Sequence, residues 1–285
     1  MSLKLTITAT AALLALATSH RARAQDGEAP PRIEKLSDWP ELKKADRDRA
    51  RATAKQFRKQ QDKLRDAAVQ KLVKMGAGVA PVLIPLVSDK AQNVNEDVFR
   101  VLDQVTDGRH AALLARETKR KSVAWRRYLM RRLAGLRDRE LLPVLQKTWQ
   151  DKDEEIAFYA ALGMLALGDQ AGLDVVLAAA RQQWAEQKEV IGATLEPARS
   201  SEVSLLIWER INKARAADKM AGLRLLRHLA TKDQKMLLKV YLESPDFAVK
   251  REAINAARVL HGEAPLEKLS SFQAINLAKQ WLQKL

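Results

Sequence analysis

The feature that most constrains this sequence is a set of apolar positions that recurs every 31 residues. Starting at Leu83 and advancing by 31 each time gives seven aliphatic residues: Leu83, Leu114, Leu145, Val176, Ile207, Leu238 and Leu269. Three further columns, mostly aliphatic, begin at Val98, Leu102 and Val105 and keep the same register over six units. A period of this length is typical of chains that stack small units, each burying its apolar face against its neighbours.

Within each unit the apolar residues recur with the period of a helix, not with the two-residue period of a strand. Residues 141–149 (LLPVLQKTW) show this pattern, and a second such segment follows at 154–168 (EEIAFYAALGMLALG). Each unit is therefore predicted to be a pair of helices. Pro81 and Pro143 fall early in first helices, where proline is tolerated, and Asp153 stands where a helix start needs a cap. No stretch has the alternation of a strand, so the sequence predicts an all-α fold.

The units at 151–169 and 244–262 share a turn with aspartate, an apolar residue and an alanine four positions after it. In these units the sequence resembles the HEAT repeat family, including its short bacterial HEAT-like repeats, over residues 79–285. The unit around 185–200 is irregular, with Pro197 late in its second helix. The resemblance implies an α-α superhelix, or solenoid, whose second helices line the concave side. It implies no single activity, because such solenoids are usually interaction surfaces and only occasionally enzymes.

The first 24 residues have the layout of a secretory signal peptide, with an apolar run at 5–17 and a small-x-small sequence before a cleavage point after Ala24. The sequence therefore predicts a periplasmic or extracellular protein. Arg21 and Arg23 are untypical of a cleavage region and leave an organelle presequence or an uncleaved anchor open. No apolar run after residue 24 is long enough to span a bilayer.

Two segments separate this signal from the repeats. Residues 25–36 are polar and contain prolines, which is typical of a flexible linker. Residues 37–78 are predicted to form charged N-terminal capping helices, with a helix start at 37–41 (SDWPE). Their apolar positions keep helical spacing, at Phe57, Leu64, Ala68, Leu72 and Met75.

Composition limits the possible chemistry. Lysine and arginine outnumber aspartate and glutamate by 50 to 35, and the net charge of +15 attracts acidic partners. There is no cysteine, which excludes thiolate metal sites and cysteine catalysis. His110, His228 and His261 show no metalloprotease spacing and are interpreted as surface or helix-end residues. The acidic residues 151–155 are interpreted as helix caps and not as a calcium loop. We predict no cofactor, no metal and no catalytic residue.

Arginines on the predicted second helices are the candidate binding residues. The period places Arg100 and Arg131 on neighbouring helices, with Arg127 one turn from Arg131. Guanidinium groups bind carboxylates and phosphates in bidentate fashion. We therefore predict a basic binding surface on the concave side, formed by Arg100, Arg127, Arg131, Arg224 and Arg251. The alternative is a solvated face that binds nothing.

Other prominent side chains have structural interpretations. The HEAT resemblance implies that Arg126 bonds an acidic turn residue of the neighbouring unit. Arg132 is predicted to lie over apolar surface with its head in water. Of the tryptophans, Trp125, Trp208 and Trp281 are predicted to be core residues, whereas Trp149 and Trp184 could contribute to a partner surface.

Together these patterns predict an exported, non-enzymatic HEAT-repeat scaffold that binds an unknown protein or other macromolecule on its concave basic face. An enzyme on the same scaffold remains an alternative, because HEAT-like solenoids occur among DNA-alkylation repair glycosylases and bilin lyases. A basic groove would suit the DNA backbone, although export makes nucleic acid an unexpected partner. The third alternative is a protein that binds anionic membrane or cell-wall polymer.

Overall fold

A computed structural model of the protein describes residues 34–285. The signal peptide predicted at 1–24 and nearly all of the linker predicted at 25–36 lie outside the described residues. Within 34–285 the chain forms fifteen α-helices, several short 3-10 helices and no strand, which confirms the all-α prediction. The α-helices are α1 Lys44–Ala54, α2 Asp62–Val73, α3 Ala80–Leu83, α4 Gln92–Val105, α5 Ala111–Arg116, α6 Val123–Leu136, α7 Leu142–Thr148, α8 Glu154–Ala166, α9 Leu173–Gln182, α10 Trp184–Leu195, α11 Ser201–Asn212, α12 Ala216–Leu229, α13 Lys239–Leu242, α14 Phe247–Leu260 and α15 Ser271–Lys284.

The 31-residue columns form the core. The first six members of the column that starts at Leu83 are at most 1% exposed. The columns that start at Val98 and Leu102 are buried at all six positions. The column that starts at Val105 lies nearer the surface and is fully buried only at its last two members, Leu229 and Leu260. The spacing therefore marks residues that occupy equivalent places in successive units.

The even-numbered helices pack in sequence along the chain. α2 packs against α4, α4 against α6, α6 against α8, and so on through α10 and α12 to α14. Most of the helices between them are shorter, and α5, α7, α11 and α13 each pack against the even-numbered helix that follows. The unit at 185–200, predicted to be irregular, departs from this order because α9 also packs directly against α12.

Helix starts follow the local sequence. Asp153 caps α8 by accepting a hydrogen bond from the backbone N–H of Ile156, and Ser200 and Asp246 cap α11 and α14 in the same way. Pro81 and Pro143 occupy the first turns of α3 and α7. Asp153, Ser200 and Asp246 are therefore helix caps, as predicted, whereas Asp151 accepts a hydrogen bond from the backbone N–H of Asp153 and is not the cap of α8.

The segment before α1 differs from the prediction. No helix starts at 37–41; residues 34–43 are non-helical and α1 begins at Lys44. Long-range contacts hold this segment: the backbone N–H of Leu36 donates to the carbonyl of Arg109 at 3.0 Å, and Lys35 pairs with Asp138 at 2.8 Å. Lys35 and Leu36, assigned to a flexible linker from composition, are therefore tied to the folded chain.

The period also fails at the C-terminal end. Leu269, the seventh member of the first column, lies in coil before α15 and is only partly buried. The far end of α15 contacts the end of α14, where the rings of His261 and Trp281 lie 4.9 Å apart. Lys235 donates to the carbonyl of Lys284 at 3.3 Å. α15 therefore does not repeat the first helix of the preceding units.

Among residues 34–285 no single helix is long and apolar enough to cross a membrane. Asp62–Val73 and Ala77–Leu86 satisfy the length and composition only when they are joined across a bend of 114°. Leu72 and Leu83 of this pair are fully buried in the protein core.

One glycine gives a direct test of the register. A β-carbon at Gly222, in the column that starts at Val98, would lie 2.3 Å from Ile211 Cγ2 and 3.2 Å from Ile207 Cγ2. We expect Gly222→Ala to destabilise the fold by about 1–2 kcal/mol, because overpacking outweighs the better helix propensity of alanine. Urea denaturation measures the change. Because Ile211→Ala removes Cγ2, it should cost less stability in the Gly222→Ala background than in the wild type; equal or higher stability of Gly222→Ala alone would contradict the packing.

Candidate binding surfaces

The structure places Arg100 of the predicted arginine surface in an ion-pair cluster between α2 and α4. Arg100 lies 2.8 Å from Asp66 and donates to Asp97 at 3.0 Å. Arg65 Nε also lies 3.2 Å from Asp97 Oδ2, but neither atom has an aligned hydrogen bond. Burial raises the pKa of the Asp97 carboxyl, and the two arginines offset only part of this effect. Arg100 therefore serves to compensate a buried carboxylate.

Arg127 joins α6 to the start of α8. It donates to Asp153 from Nε at 3.0 Å and from Nη2 at 2.7 Å, and its Nη1 lies 3.1 Å from Glu155. Hydrogen bonds from Arg127 lower the pKa of Asp153, the residue that caps α8. The neighbouring Arg126 donates to Asp151 at 2.6 Å. This confirms the prediction that Arg126 bonds an acidic turn residue of the next unit.

Arg224 and Arg251 belong to a cluster around Glu252, a carboxylate on α14 that is 4% exposed. Arg251 lies 3.3 Å and Arg224 3.4 Å from the same Glu252 oxygen, and Arg227 of α12 pairs with the other. Arg224 also donates to the carbonyl of Ala180 at 2.6 Å. Both Arg224 and Arg227 lie 5.5 Å from the centre of the Trp184 ring, a cation–π distance. This cluster fastens α12 to α14.

Arg131 differs from the other four candidates. It is exposed on α6 and has no ion pair or hydrogen bond from its side chain within residues 34–285. Arg100, Arg127, Arg224 and Arg251 all contact carboxylates of the protein itself. The period placed these arginines on helix faces, but it could not show which carboxylates of other helices would face them. Binding by the five arginines stays a prediction.

Arg132 corrects a prediction. Its head is bound to the protein: Nη2 donates to the backbone carbonyl of Thr106, the residue that follows α4, and Nε is buried. The last carbonyls of a helix lack partners within the helix, so a guanidinium there acts as a cap. Arg199 does the same at the end of α12, donating to the carbonyls of Arg227 and Ala230 at 3.3 Å.

Histidine and tryptophan side chains are mainly structural. Of the two interpretations offered for His110, the structure supports the helix end: it directly precedes α5, is 2% exposed and stacks on Trp39. Trp125, Trp208 and Trp281 are at most 6% exposed, as predicted for core residues. In the part of the chain that the structure describes, no three His, Asp or Glu side chains form a group able to hold a metal ion.

His228 gives the fold a pH dependence. The His228 ring packs closely on Gly192, where an added β-carbon would lie 2.9 Å from His228 Cε1. Burial, together with the charges of Arg227 and Arg199, lowers the pKa of His228 from 6.5 to about 4. The folded state binds a proton at His228 less well than the unfolded state does. The free energy of unfolding is therefore highest above pH 6.5 and falls as the pH drops towards 4. We expect a loss of about 2–3 kcal/mol over this range from His228 alone. Urea denaturation at pH 7 and 4 should show a smaller loss in His228→Gln; an equal loss would contradict this.

Two surfaces stand out that the repeat pattern did not reveal. Residues 43–74 contain twelve lysines and arginines against four aspartates, a net +8 of the +15 of the whole chain. Their exposed cations form what we call the N-terminal basic surface: Lys43, Lys44, Arg47, Arg49, Arg51, Lys55, Arg58, Lys59, Lys63, Lys71 and Lys74. A count of local net charge along the sequence would have found it.

The second surface is apolar. Of the eight large apolar side chains exposed in residues 34–285, seven lie between 205 and 275. Five of them lie on three elements, the 3-10 helix Lys232–Leu238, α13 and α15, and we refer to them together as the C-terminal apolar surface: Met236, Leu237, Val240, Phe272 and Ile275. The short helix α13 carries Val240 and packs against α15, which carries Phe272 and Ile275. Helical spacing cannot distinguish such residues from core residues, which explains why the sequence pattern missed them.

Comparison with models of protein families and with curated proteins gives no match. Among solved structures the chain is similar to human deoxyhypusine hydroxylase in complex with glycerol, with 16% sequence identity and a TM-score of 0.35. The similarity covers 85% of this chain and 98% of that chain. A likeness this distant does not bear on the activity of this chain.

Proposed function

We propose that this protein is an exported, non-enzymatic HEAT-like solenoid that binds a partner protein. The buried columns at 31-residue spacing and the sequential packing of the even-numbered helices support the solenoid. In this proposal α1 and α2 cover the N-terminal end of the stack. A stack of this kind presents a wide rigid surface, and its affinity comes from many modest contacts and not from one pocket.

The observation that carries the proposed function is the C-terminal apolar surface. Phe272 is 74% exposed and Val240 is 62% exposed. Exposed apolar side chains on neighbouring elements mark interaction sites on soluble proteins. We therefore infer that a partner covers this surface.

Charges around the surface indicate the chemistry of the partner. Five exposed lysines lie on or beside the elements that carry the apolar residues, against three exposed carboxylates, Asp233, Glu243 and Glu267; the lysines are Lys232, Lys239, Lys268, Lys279 and Lys284. A partner with apolar side chains surrounded by carboxylates would complement this surface. A second copy of the chain would bring like-charged lysines together, so we favour a different, acidic protein. The exposed Arg131 would attract the same partner at longer range.

A photo-crosslinking amino acid at position 272 tests this proposal in the cells that produce the protein. We expect a covalent adduct with another protein from position 272, and a much weaker one from the exposed position 280 on the same helix. Ile275→Asp should reduce the adduct from position 272 at least fivefold, because a carboxylate in the apolar contact is costly to bury. Equal adducts from both positions, or an adduct with the mass of two copies of this chain, would contradict the proposal.

Export has a separate test. If residues 1–24 are a cleaved signal, N-terminal sequencing of the protein purified from its own host should begin at Gln25. A chain that begins at Met1 and remains in the cytoplasmic fraction would exclude export. It would also bring nucleic acid back as a partner for the basic residues.

A further inference from the structure

We propose that the N-terminal basic surface binds the anionic surface of a phospholipid bilayer. This inference goes beyond the proposed partner protein, because it rests on different residues at the other end of the chain. Three observations carry it: the excess of uncompensated charge, the distribution of that charge over two helices, and one exposed leucine among the lysines.

The charge of this surface is poorly compensated within the protein. The ion pairs of α1 are long and exposed, with 3.4 Å between Arg49 and Asp46, 3.6 Å between Arg51 and Asp48, and 3.8 Å between Arg47 and Glu41. Exposed pairs of this kind hold a cation only weakly. The exposed lysines of the N-terminal basic surface, which include Lys44, Lys55, Lys63 and Lys71, have no ion-pair partner among the described residues. In the repeats, by contrast, arginines such as Arg127 and Arg227 are fixed by nearby carboxylates.

The cations spread over two helices that pack against each other. On α1, Lys44, Arg47 and Arg51 follow one another at spacings of three and four residues along one side of the helix, and Lys55, directly after α1, continues this spacing. Lys63 of α2 and Lys74, the residue after it, lie opposite the buried side formed by Ala68, Val69 and Leu72, and Lys71 lies at the flank of that side. A broad distribution suits an extended charged plane better than a ligand held in a single groove.

Leu64 favours a bilayer over a nucleic acid. It is 45% exposed on the lysine-bearing side of α2 and is the only large apolar side chain exposed within residues 34–204. Leucine between lysines is typical of interfacial helices, because the apolar group enters the headgroup region while the ammonium groups stay at its surface. Nucleic-acid surfaces commonly use exposed aromatic side chains for stacking. Phe57 is the only aromatic residue of 43–74, and it is fully buried.

Sedimentation with vesicles tests the proposal. The full chain should bind vesicles that contain 30% phosphatidylglycerol, and binding should weaken steeply between 50 and 500 mM NaCl, on the order of a hundredfold, because salt screens the attraction. Vesicles of phosphatidylcholine alone measure any binding by the apolar run at 5–17. A variant with four substitutions, Lys44→Glu, Lys55→Glu, Lys63→Glu and Lys71→Glu, should bind the vesicles at least roughly a hundredfold more weakly. Each cation near an anionic surface raises the affinity about fivefold.

A matched variant separates local charge from total charge. Lys121, Lys147, Lys152 and Lys213 are also exposed, and their replacement by glutamate changes the net charge by the same amount. We expect this control to keep most of the vesicle binding. An equal loss in both variants would overturn the proposal, as would tighter binding to a 20-base-pair DNA duplex than to the vesicles at the same salt concentration. Crosslinking at position 272 should be unchanged in the Lys44, Lys55, Lys63, Lys71 variant, so the two proposals can fail independently.

Discussion

Replacing Glu252 with alanine is expected to destabilise the fold by about 3–5 kcal/mol, the cost of removing one partner from a buried ion pair. The Glu252 carboxylate is the acidic partner of Arg224, Arg227 and Arg251. Arg227 is 8% exposed, and its Nε already lacks a hydrogen-bond partner. Without Glu252 a buried guanidinium would face two other cations. Urea denaturation followed by circular dichroism measures the loss.

A double variant distinguishes the charge effect from lost packing. Glu252→Leu combined with Arg227→Met removes both buried charges and keeps much of the apolar volume. We expect it to be more stable than Glu252→Ala by at least about 2 kcal/mol, because apolar residues can replace a buried ion pair at little cost. Glu252→Ala within about 1 kcal/mol of the wild type would show that the cluster does not hold α12 and α14 together.

Trp125→Ala is the second change with a large expected effect, about 3–5 kcal/mol. The Trp125 side chain is fully buried, and its Nε1 donates to the carbonyl of Glu117 at 3.0 Å. Its ring also packs against Tyr128, with 5.6 Å between the ring centres. Alanine would leave a large cavity between α6 and the preceding unit and would remove the partner of a backbone carbonyl. The same denaturation experiment measures this effect.

Trp149→Ala is the matched control for Trp125→Ala. Trp149 is only partly buried, so its removal should cost less than half as much. If the two variants lost equal stability, Trp125 would not have the central position that its burial indicates.

The repeated core could be predicted because its physical cause is periodic. A position such as Leu145 or Leu129 must be apolar in every unit, since each unit buries the same faces against its neighbours. The prediction fails where that cause is absent. Leu269 lies in coil before α15, which packs against α13 and α14 and does not repeat the first helix of the preceding units. Residues 37–41 resemble a helix start, but long-range contacts to Arg109 and Arg116 hold their neighbourhood in a non-helical conformation.

The candidate sites were harder to predict because they depend on contacts between units. Arg127 and Arg131 belong to the same helix face in sequence, yet only Arg127 meets a carboxylate pair, Asp153 and Glu155. Arg132 could not be recognised as a helix cap because its acceptor, Thr106, lies 26 residues away. Phe272 was missed for a similar reason. It has the helical spacing of a core residue, but its side chain is 74% exposed because no neighbouring helix covers it.

Distances between spin labels would test most directly whether the chain is a stack of repeating units. Because the sequence has no cysteine, labels can be placed only where cysteines are introduced. Lys147, Glu209 and Val240 are exposed; Glu209 lies two periods after Lys147, and Val240 lies three periods after it. With helices spaced by about 8–10 Å, a solenoid predicts roughly 20 Å between positions 147 and 209 and roughly 30 Å between 147 and 240. A distance between 147 and 240 that is equal to or shorter than the distance between 147 and 209 would contradict the solenoid.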